Sequence, residues 1–310
     1  MANVLITGGA GFIGYHLQKQ LQHHFIYAID RLDPNNSACK TRNSLLPNII
    51  KADINHSFLD ELDSKPDLVI HLAAETGVGP SVLFPERYFE TNVRGTFNVL
   101  EQCRKNNVKY LIYASSSSVY SPGQAQTKEI DSTITQLSFY GTTKKLCETM
   151  IENYCNQFGI VAIGLRFFTV YGSWTRPDMA GYKFMSNISN GKPITIYNNG
   201  HVYRDFTHVS DVVKAIDLLI EKILHSQVEN HLLFNIGLGQ SVSVLNFAQQ
   251  IALALNRELI VEYKPLPFNE LPSTNANTES LKRFIDFTPI CTIENGVKEM
   301  VEWFIEHKYE

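Results

Sequence analysis

Short apolar segments alternate along the first half of the chain with longer segments in which apolar residues recur every three or four positions. The short segments predict β-strands and the longer ones predict amphipathic helices. Two of these helices are expected over Tyr88–Lys105 and Leu137–Phe158. The predicted strands are Asn3–Thr7, Phe25–Ile29, Asn48–Ala52, Asp67–Ala73, Tyr110–Ala114 and Ile160–Arg166.

The predicted strands are apolar on both faces, which is typical of a parallel sheet covered by helices on both sides. Strands that alternate with helices in this way predict an α/β fold with a doubly wound parallel sheet of the Rossmann type. We expect this domain to cover residues 1–172.

The regular alternation loosens after Gly172. Short strands are expected there, with helices near Tyr182–Asn190, Val209–Leu224, Val244–Leu255 and Ile293–His307. We interpret residues 173–310 as mainly a smaller C-terminal α/β domain that binds the substrate. Residues of about 205–240 are expected to return to the first domain.

Composition narrows the classes of function. The 310 residues are 44% hydrophobic and carry a net charge of −4, which is ordinary for a globular protein and favours neither a nucleic-acid nor a membrane partner. We expect no signal peptide from the N-terminal residues, and no apolar run is long enough to span a bilayer. Five scattered cysteines without a CxxC predict reduced thiols and a cytoplasmic location. Ten histidines form neither HxH nor HExxH, so no metal is assigned.

The stretch "TGGAGFIG" follows the first predicted strand and opens a helix. Gly8, Gly11 and Gly14 have GxxGxxG spacing, with Phe12 and Ile13 between the last two. Glycine lets the backbone approach a pyrophosphate closely, and the helix N-terminus then offers N–H donors. The alternative is a purely structural glycine-rich turn, but the position between strand and helix favours a dinucleotide-binding loop.

Asp30 ends the second strand, 22 positions after Gly8. A carboxylate at this place accepts hydrogen bonds from the ribose hydroxyls and repels a 2′-phosphate, which predicts NAD rather than NADP. Arg31 argues in the opposite direction, because an arginine can hold a 2′-phosphate.

The stretch "FYGTTKK" places Tyr140 and Lys144 one helical turn apart. A free tyrosine has a pKa of about 10 and is a poor base. A neighbouring ammonium and a cationic nicotinamide ring would both favour the phenolate. A surface pair on a helix is the alternative. The position one strand–helix unit after "YASSSSVY" favours the catalytic interpretation.

Together these motifs resemble the extended short-chain dehydrogenase/reductase family, the NAD-dependent sugar-nucleotide epimerases and dehydratases. Further stretches that match over nearly the whole chain are "DIN", "HLAAETGV", "NVRGTFNVLE", "RFFTVYG" and "YRDFTHVSD". The block "RPDMA" is similar to the UDP-glucuronate 4-epimerase branch in particular.

The resemblance implies roles for individual residues. Ser116, Tyr140 and Lys144 correspond to the catalytic triad. Further cofactor-binding residues implied are Asp53 and Ile54 near the adenine, Leu72, Ala73 and Ala74 along the dinucleotide, Asn92, and Phe167 on the nicotinamide, although Phe167 is equally compatible with a core position. Substrate-binding residues implied are Ser117, Ser118, Thr169, Arg176, Ile196, Tyr197, Arg204 for the UDP diphosphate, and Glu270 for the ribose. A homodimer through the helices Tyr88–Lys105 and Leu137–Phe158 is also implied.

Members of this family begin alike: the tyrosine takes the proton of the sugar 4-hydroxyl, NAD takes the C4 hydride, and a 4-keto sugar results. The 4,6-dehydratases carry an Asp–Glu pair in the serine loop, and UDP-glucuronate decarboxylases carry Glu at the position of Ser118. Ser117 and Ser118 supply no acid, which predicts return of the hydride to the opposite face, a 4-epimerisation. Local capping of the loop is the alternative role for these two hydroxyls.

The resemblance favours conversion of UDP-glucuronate to UDP-galacturonate, in surface polysaccharide synthesis. Arg176, with Ser117 and Thr169, would hold the sugar carboxylate away from the ketone and prevent decarboxylation. Alternatives are a UDP-glucose or UDP-N-acetylglucosamine 4-epimerase, a UDP-glucuronate decarboxylase, and a nucleotide-binding protein without catalysis. Three departures leave the sugar open: "GVGPS" replaces "GVRYS" and so lacks an arginine, Ser121 replaces a glycine, and the segment after Asp30 is short.

Overall fold

The computed structural model describes residues 1–33, 36–46, 49–123, 126–131, 133–225, 228 and 230–307, apart from the side chain of Glu61. The strands are β1 Asn3–Thr7, β2 Phe25–Asp30, β3 Ile49–Lys51, β4 Leu68–His71, β5 Tyr110–Ser116, β6 Val161–Phe167, β7 Thr169–Tyr171, β8 Ile194–Tyr197, β9 Tyr203–His208, β10 His231–Ile236, β11 Ser241–Ser243 and β12 Val261–Lys264. The helices are α1 Phe12–Gln20, α2 Ser37–Ser44, α3 Val78–Leu83, α4 Pro85–Tyr88, α5 Gly95–Lys105, α6 Phe139–Phe158, α7 Ala180–Ser189, α8 Val209–His225, α9 Val244–Ala254, α10 Glu279–Ile285 and α11 Ile293–His307.

Seven strands form one parallel sheet in the order β10-β6-β5-β4-β1-β2-β3. The chain builds outward from β1 to β3 on one side and then returns to β4 on the other side of β1. This reversal of direction opens a crevice at the carboxyl ends of β1 and β4, where doubly wound folds bind their ligands. The predicted Rossmann fold is therefore confirmed.

Helices cover both faces of this sheet. The core on one face includes α1 and α8, and the core on the other includes α5 and α6. All seven residues of β6 are buried, which explains why the strand is apolar without alternation. None of the described helices is long and apolar enough to cross a bilayer.

The helix predicted over Tyr88–Lys105 is interrupted. A π-helical segment, Phe89–Arg94, lies between α4 and α5. A π-turn changes the phase of the following helix, and here the interruption includes Asn92, whose side chain is buried and makes hydrogen bonds to two other segments of the chain. The predicted strand Asn48–Ala52 is Ile49–Lys51 in the structure, and Asn48 lies outside the described residues.

Two small sheets follow the large one, with the orders β11-β9-β7 and β12-β8. They pack with α7, α9 and α11 around an aromatic core that includes Trp174, Phe206, Phe247 and Trp303. Strand β10 nevertheless pairs with β6, so the chain returns to the large sheet after β9. The domain boundary at residue 172 stays a prediction.

A buried ion pair joins α6 to the sheet. Nε and Nη2 of Arg166, in β6, donate to the two carboxylate oxygens of Glu148, in α6, at 2.8 and 2.9 Å, and each side chain is 2% exposed. The same carboxylate accepts the Ser115 hydroxyl at 2.6 Å. Burial raises the pKa of the Glu148 carboxyl, but the hydrogen bonds from Arg166 outweigh it and leave the pKa below the ordinary 4.5. Glu148 thus ties α6 to the ends of β5 and β6.

Replacing Glu148 with Gln keeps the size of the side chain but leaves Arg166 buried without its counter-charge. Removing one partner of a buried ion pair costs about 3–5 kcal/mol, so the free energy of unfolding, measured by urea denaturation at neutral pH, should fall by that amount. Glu152→Gln, on the exposed side of the same helix, is the matched control and should change it by less than about 0.5 kcal/mol. Equal losses in the two variants would contradict the role of the pair.

The same variant should reveal a pH dependence. Because the folded pKa of Glu148 is depressed, its contribution is complete above 4.5 and is lost as pH falls through the folded value. The stability difference between wild type and Glu148→Gln should therefore shrink as pH is lowered below 4.5. A difference that stays constant down to acid unfolding would argue against a charged Glu148.

Candidate active site

A cavity of about 1550 Å³ lies at the carboxyl edge of the large sheet and extends to residues of the C-terminal half of the chain. It brings together most of the residues singled out in the sequence. The predicted cofactor residues that line it are Gly8, Gly11, Phe12, Ile13, Gly14, Asp30, Asp53, Ile54, Leu72, Ala73, Ala74, Tyr140, Lys144 and Phe167. The other predicted site residues that line it are Ser116, Ser117, Ser118, Thr169, Arg176, Tyr197, Arg204 and Glu270.

Two predicted site residues, Asn92 and Ile196, do not line the cavity, and each is 1% exposed. Ile196 packs into the aromatic core, because alternate residues of β8 point to opposite faces. The Asn92 amide bonds the backbone N–H and C=O of Glu75 at 2.8 and 3.0 Å, and donates to the Thr143 hydroxyl at 3.0 Å. Asn92 therefore positions the loop after β4 against α6.

The glycine loop is shaped by close backbone contacts. Gly8 has φ +75°, and a Cβ there would lie 2.7 Å from the backbone nitrogen of Ala73. Gly11 is the N-cap of α1 and provides no side-chain cap, so the first N–H groups of the helix stay available to a ligand in the cavity. A free helix N-terminus beside a close-packed loop fits the pyrophosphate of a dinucleotide.

Asp30 lies beside this loop at the end of β2. Its carboxylate accepts the backbone N–H groups of Ala10, at 3.1 Å, and Leu32, at 3.0 Å, which fix its orientation. The next residue, Arg31, donates to Glu75 at 2.7 Å. The carboxylate at the end of β2 is thus ordered by the protein, and the neighbouring guanidinium is held by another acid.

The serine loop follows β5 and lies directly on α6. The Ser116 hydroxyl accepts the backbone N–H of Ser118 at 3.1 Å and so caps the 3₁₀ turn Ser117–Val119. A Cβ on Gly141 would overlap the carbonyl oxygen of Ser118, so glycine is required for this contact. Within the described chain, the hydroxyls of Ser117 and Ser118 line the cavity without a hydrogen bond to another residue. The local capping role belongs to Ser116.

Tyr140 and Lys144 lie next to this loop on the first two turns of α6. Lys144 is 5% exposed, and its ammonium donates to the carbonyl of Ala114 at 2.9 Å. The Tyr140 ring packs edge-on against Tyr88, with 6.1 Å between ring centroids. The buried ammonium is thereby held in place one helical turn from the phenol that faces the cavity.

Behind these groups lies a buried histidine that the sequence analysis missed. His71 bonds the hydroxyls of Thr7, at 2.8 Å, and Thr96, at 3.0 Å. Burial, with a smaller contribution from the positive charge of Lys144, lowers the pKa of His71 to about 3. The ring is therefore neutral, and it links the end of β1 to α5. The sequence gives no local signal for this role, because the three residues are far apart in the chain.

At the opposite end of the cavity, two predicted substrate residues meet. Arg204 and Glu270 form an ion pair of 2.9 Å, although 66 positions separate them. The Arg204 side chain is 16% exposed, and burial lowers its pKa despite the nearby carboxylate. The pair presents a positive and a negative group together, which suits a ligand with both phosphate and hydroxyl groups.

Arg176 lies near Tyr140 and Tyr88 but is not a free cation. Its Nε and Nη2 donate to both carboxylate oxygens of Asp178 at 2.9 and 2.8 Å, and Nη2 also contacts the Met179 sulfur at 3.5 Å. The sequence motif pointed to the arginine but not to its partner Asp178, which lies in the same "RPDMA" block. In the described residues, Nη1 donates to no side chain or carbonyl, so it remains available to a ligand.

One group of potential metal ligands occurs among the described residues, at His23, His24 and Glu221. His24 Nδ1 accepts the backbone N–H of Ala2 at 3.3 Å, which places the proton on Nε2, 3.7 Å from Glu221. A protonated nitrogen is not a metal ligand. We therefore interpret the group as a polar contact between the segment after α1 and helix α8.

Known proteins with similar sequences come from a family of NAD-dependent enzymes, in agreement with the dinucleotide site described above. The model of the NAD-dependent epimerase/dehydratase family matches residues 4–237. Protein CapI of Staphylococcus aureus is 37% identical, with 98% of each chain covered. A probable UDP-glucuronate 4-epimerase of Rhizobium meliloti is 34% identical over 97% of this chain and 96% of its own.

A solved structure is similar over the same extent. UDP-glucuronic acid 4-epimerase from Bacillus cereus, in complex with UDP-glucuronic acid and NAD, superposes with a TM-score of 0.91. It is 28% identical, and the match covers 98% of this chain and 99% of that one.

Proposed function

The chain belongs to the NAD-dependent epimerase/dehydratase family, and from this we propose that it interconverts the C4 epimers of a UDP-sugar, with UDP-glucuronate as substrate and UDP-galacturonate as product. The observation that carries the proposal is the serine loop without acids, packed by Gly141 against the helix of Tyr140 and Lys144.

The residues present fit an NAD molecule. The glycine loop and the uncapped start of α1 suit the pyrophosphate, and Asp30 suits the adenosine ribose. Asp53 and Ile54, which also line the cavity, suit the adenine, and Leu72, Ala73 and Ala74 suit the dinucleotide on its way toward Tyr140. Bound NAD supplies an acceptor for the C4 hydride, which later returns to the sugar.

The protein itself handles the proton. Tyr140 accepts the proton of the sugar 4-hydroxyl and gives it back after the hydride returns. Lys144, fixed by the Ala114 carbonyl, stabilises negative charge on the phenol oxygen. Ser116, whose hydroxyl accepts the Ser118 N–H, directs its own proton into the cavity, where it can bond the same sugar oxygen.

The state of the cavity's carboxylates argues against elimination and against acid-assisted decarboxylation. Asp178 and Glu270 each accept from an arginine, and Glu75 accepts from two. Among the described residues of the serine loop, none supplies an acid. The ketone formed at C4 therefore meets hydroxyl groups, and return of the hydride is the reaction that these groups support.

The fit for a sugar carboxylate rests on Arg176, whose Nη1 remains available beside Tyr140. A second candidate, UDP-glucose or UDP-N-acetylglucosamine, is favoured by a different observation. Asp178 already occupies the edge of this guanidinium that is formed by Nε and Nη2, and a neutral hydroxymethyl group would need no further cation. We prefer glucuronate, because Nη1 of Arg176 is available to a carboxylate. There the arginine could hold the carboxylate of the 4-keto intermediate out of line with its ketone.

Tyr140→Phe should abolish turnover while the fold and the bound dinucleotide remain. The ring keeps its packing on Tyr88, and the phenol oxygen alone is lost. Positioned acid–base groups contribute about 100-fold or more, so epimer formation from UDP-glucuronate should fall at least that far. The measurement is separation of the C4 epimers after incubation, with release of NAD on denaturation as the control. A loss of less than about tenfold would remove Tyr140 from this role.

Arg176→Ala should weaken turnover of UDP-glucuronate far more than turnover of UDP-glucose. A hydrogen bond to a charged group is worth about 1.5–3 kcal/mol, which is a loss of about tenfold or more. Asp178→Asn removes the competing carboxylate at the same size, and should shift the preference toward UDP-glucuronate. Both variants are assayed on both sugars. Equal losses on the two sugars would show that the guanidinium does not contact C6.

We also propose a homodimer in which α5 and α6 pack against the same helices of a second copy, as the resemblance implies. Support comes from their outward faces, where Phe97 is 47% exposed and Leu146 is 45% exposed. Two other apolar residues of these helices belong to the chain's own core, where Leu100 is buried and Met150 is half-buried.

Light scattering should give twice the chain mass of 35.1 kDa. Phe97→Glu should return it to the mass of one chain, because a charge would be buried without a partner. Leu253→Glu, at a 75% exposed position on α9, is the control and should leave the mass of the assembly unchanged. A single-chain mass for the wild-type protein would refute the dimer.

A cytoplasmic location and a use in polysaccharide synthesis complete the proposal. The first is supported by the five cysteines, which are all free thiols. The second follows from the proposed product, a nucleotide-activated sugar acid, and is tested by loss of that sugar from the glycans of a strain that lacks the protein.

A further inference from the structure

Three charged side chains form a bridge above the glycine loop. Glu75, on the loop after β4, accepts from Arg31 at 2.7 Å and from Arg87, on α4, at 3.1 Å. All three line the cavity. Glu75 is 15% exposed, whereas Arg31 and Arg87 are 44% and 56% exposed, so the carboxylate is the better shielded member.

The sheet order shows what this bridge spans. Strand β1 lies between β2 and β4, so the bond from Arg31 to Glu75 crosses the carboxyl end of β1. The glycine loop begins at that end, and the dinucleotide is expected to lie there. Arg31 starts beside Asp30, at the ribose end, and its guanidinium is drawn toward the other side of the crevice.

An arginine at the end of β2 is a common site for the 2′-phosphate of NADP. In this chain the residue is present but engaged, since a charge-assisted hydrogen bond to a partly shielded carboxylate is among the stronger polar contacts in proteins. A 2′-phosphate would have to take Arg31 from Glu75. Asp33, a second acid at 3.9 Å from the guanidinium, adds to the same effect.

We infer that Glu75 is a cofactor-specificity residue, which strengthens the preference for NAD over NADP by holding Arg31 away from the 2′ position. The inference rests on the proposed function, which requires a dinucleotide. Discrimination then has two parts: Asp30 repels the 2′-phosphate, and Glu75 removes the cation that would attract it.

The test is competition between two dinucleotides. Purified protein is incubated with equal amounts of NADH and NADPH, freed of unbound dinucleotide and denatured, and the released ratio is measured. Glu75→Gln keeps the shape and loses the charge. It should raise the bound ratio of NADPH to NADH by about tenfold, as expected for a freed charge-assisted contact. NADH should still predominate, because Asp30 is unchanged.

Two further variants separate this effect from a general disturbance. In Glu75→Gln with Arg31→Gln the gain in NADPH should disappear, because the freed cation is gone. Arg87→Gln removes the other guanidinium from Glu75 and leaves the Arg31 pair, so the ratio should match wild type. Thermal unfolding of each variant checks the fold.

An unchanged ratio in Glu75→Gln, or a gain that persists without Arg31, overturns the inference while the proposed function stands. The opposite failure is also visible in the same experiment. If the wild-type protein retains neither dinucleotide, the proposed function itself is wrong.

Discussion

The contact between the serine loop and α6 fixes the position of every group that is expected to react. The Ser118 carbonyl lies against Gly141, so the backbone after β5 touches the helix one residue beyond Tyr140. On the next turns, Lys144 bonds the Ala114 carbonyl and Glu148 bonds both Ser115 and Arg166. One face of α6 is therefore fastened to the end of β5 at three successive levels. The serine loop is thus held in one arrangement relative to Tyr140 and Lys144, which is the preorganisation that the proposed catalysis requires.

Ion pairs organise the rest of the cavity in a similar manner. Arg31, Arg176 and Arg204 each form an ion pair with a carboxylate of the protein. Such pairing reduces the rotamer freedom that a long side chain would otherwise lose on binding. It also makes each arginine selective, because a ligand anion must offer better geometry than the existing partner. The cavity therefore suits an anionic nucleotide sugar and a dinucleotide without being uniformly positive.

Local sequence predicted the parts of the site that depend on local geometry. Gly8 and Tyr140 belong to motifs whose spacing is set by one turn or one helix, and both line the cavity. Partners far apart in the chain were not predictable in this way. The contact of Glu75 with Arg31 joins residues 44 positions apart, and it depends on the order of strands. The resemblance implied that Asn92 contacts the cofactor. In the structure Asn92 lies in a π-helical segment, and its side chain bonds Glu75 and Thr143.

The proposed choice of sugar also depends on competition for an arginine, in this case between Asp178 and a sugar carboxylate for Arg176. Asp178 holds the Nε and Nη2 edge of Arg176, so the carboxylate of the proposed substrate would approach from Nη1, on the remaining edge. With a single available edge, a carboxylate can approach over a narrower range of angles than it could at a free guanidinium. That restriction is useful for a β-keto acid, because loss of CO2 needs the carboxylate bond aligned with the ketone. Under the proposed function, an arginine that is held by its own acid would protect the intermediate from decarboxylation better than an arginine that is free to rotate. Asp178 reduces the positive charge of the site, and it also fixes the orientation of the Arg176 guanidinium.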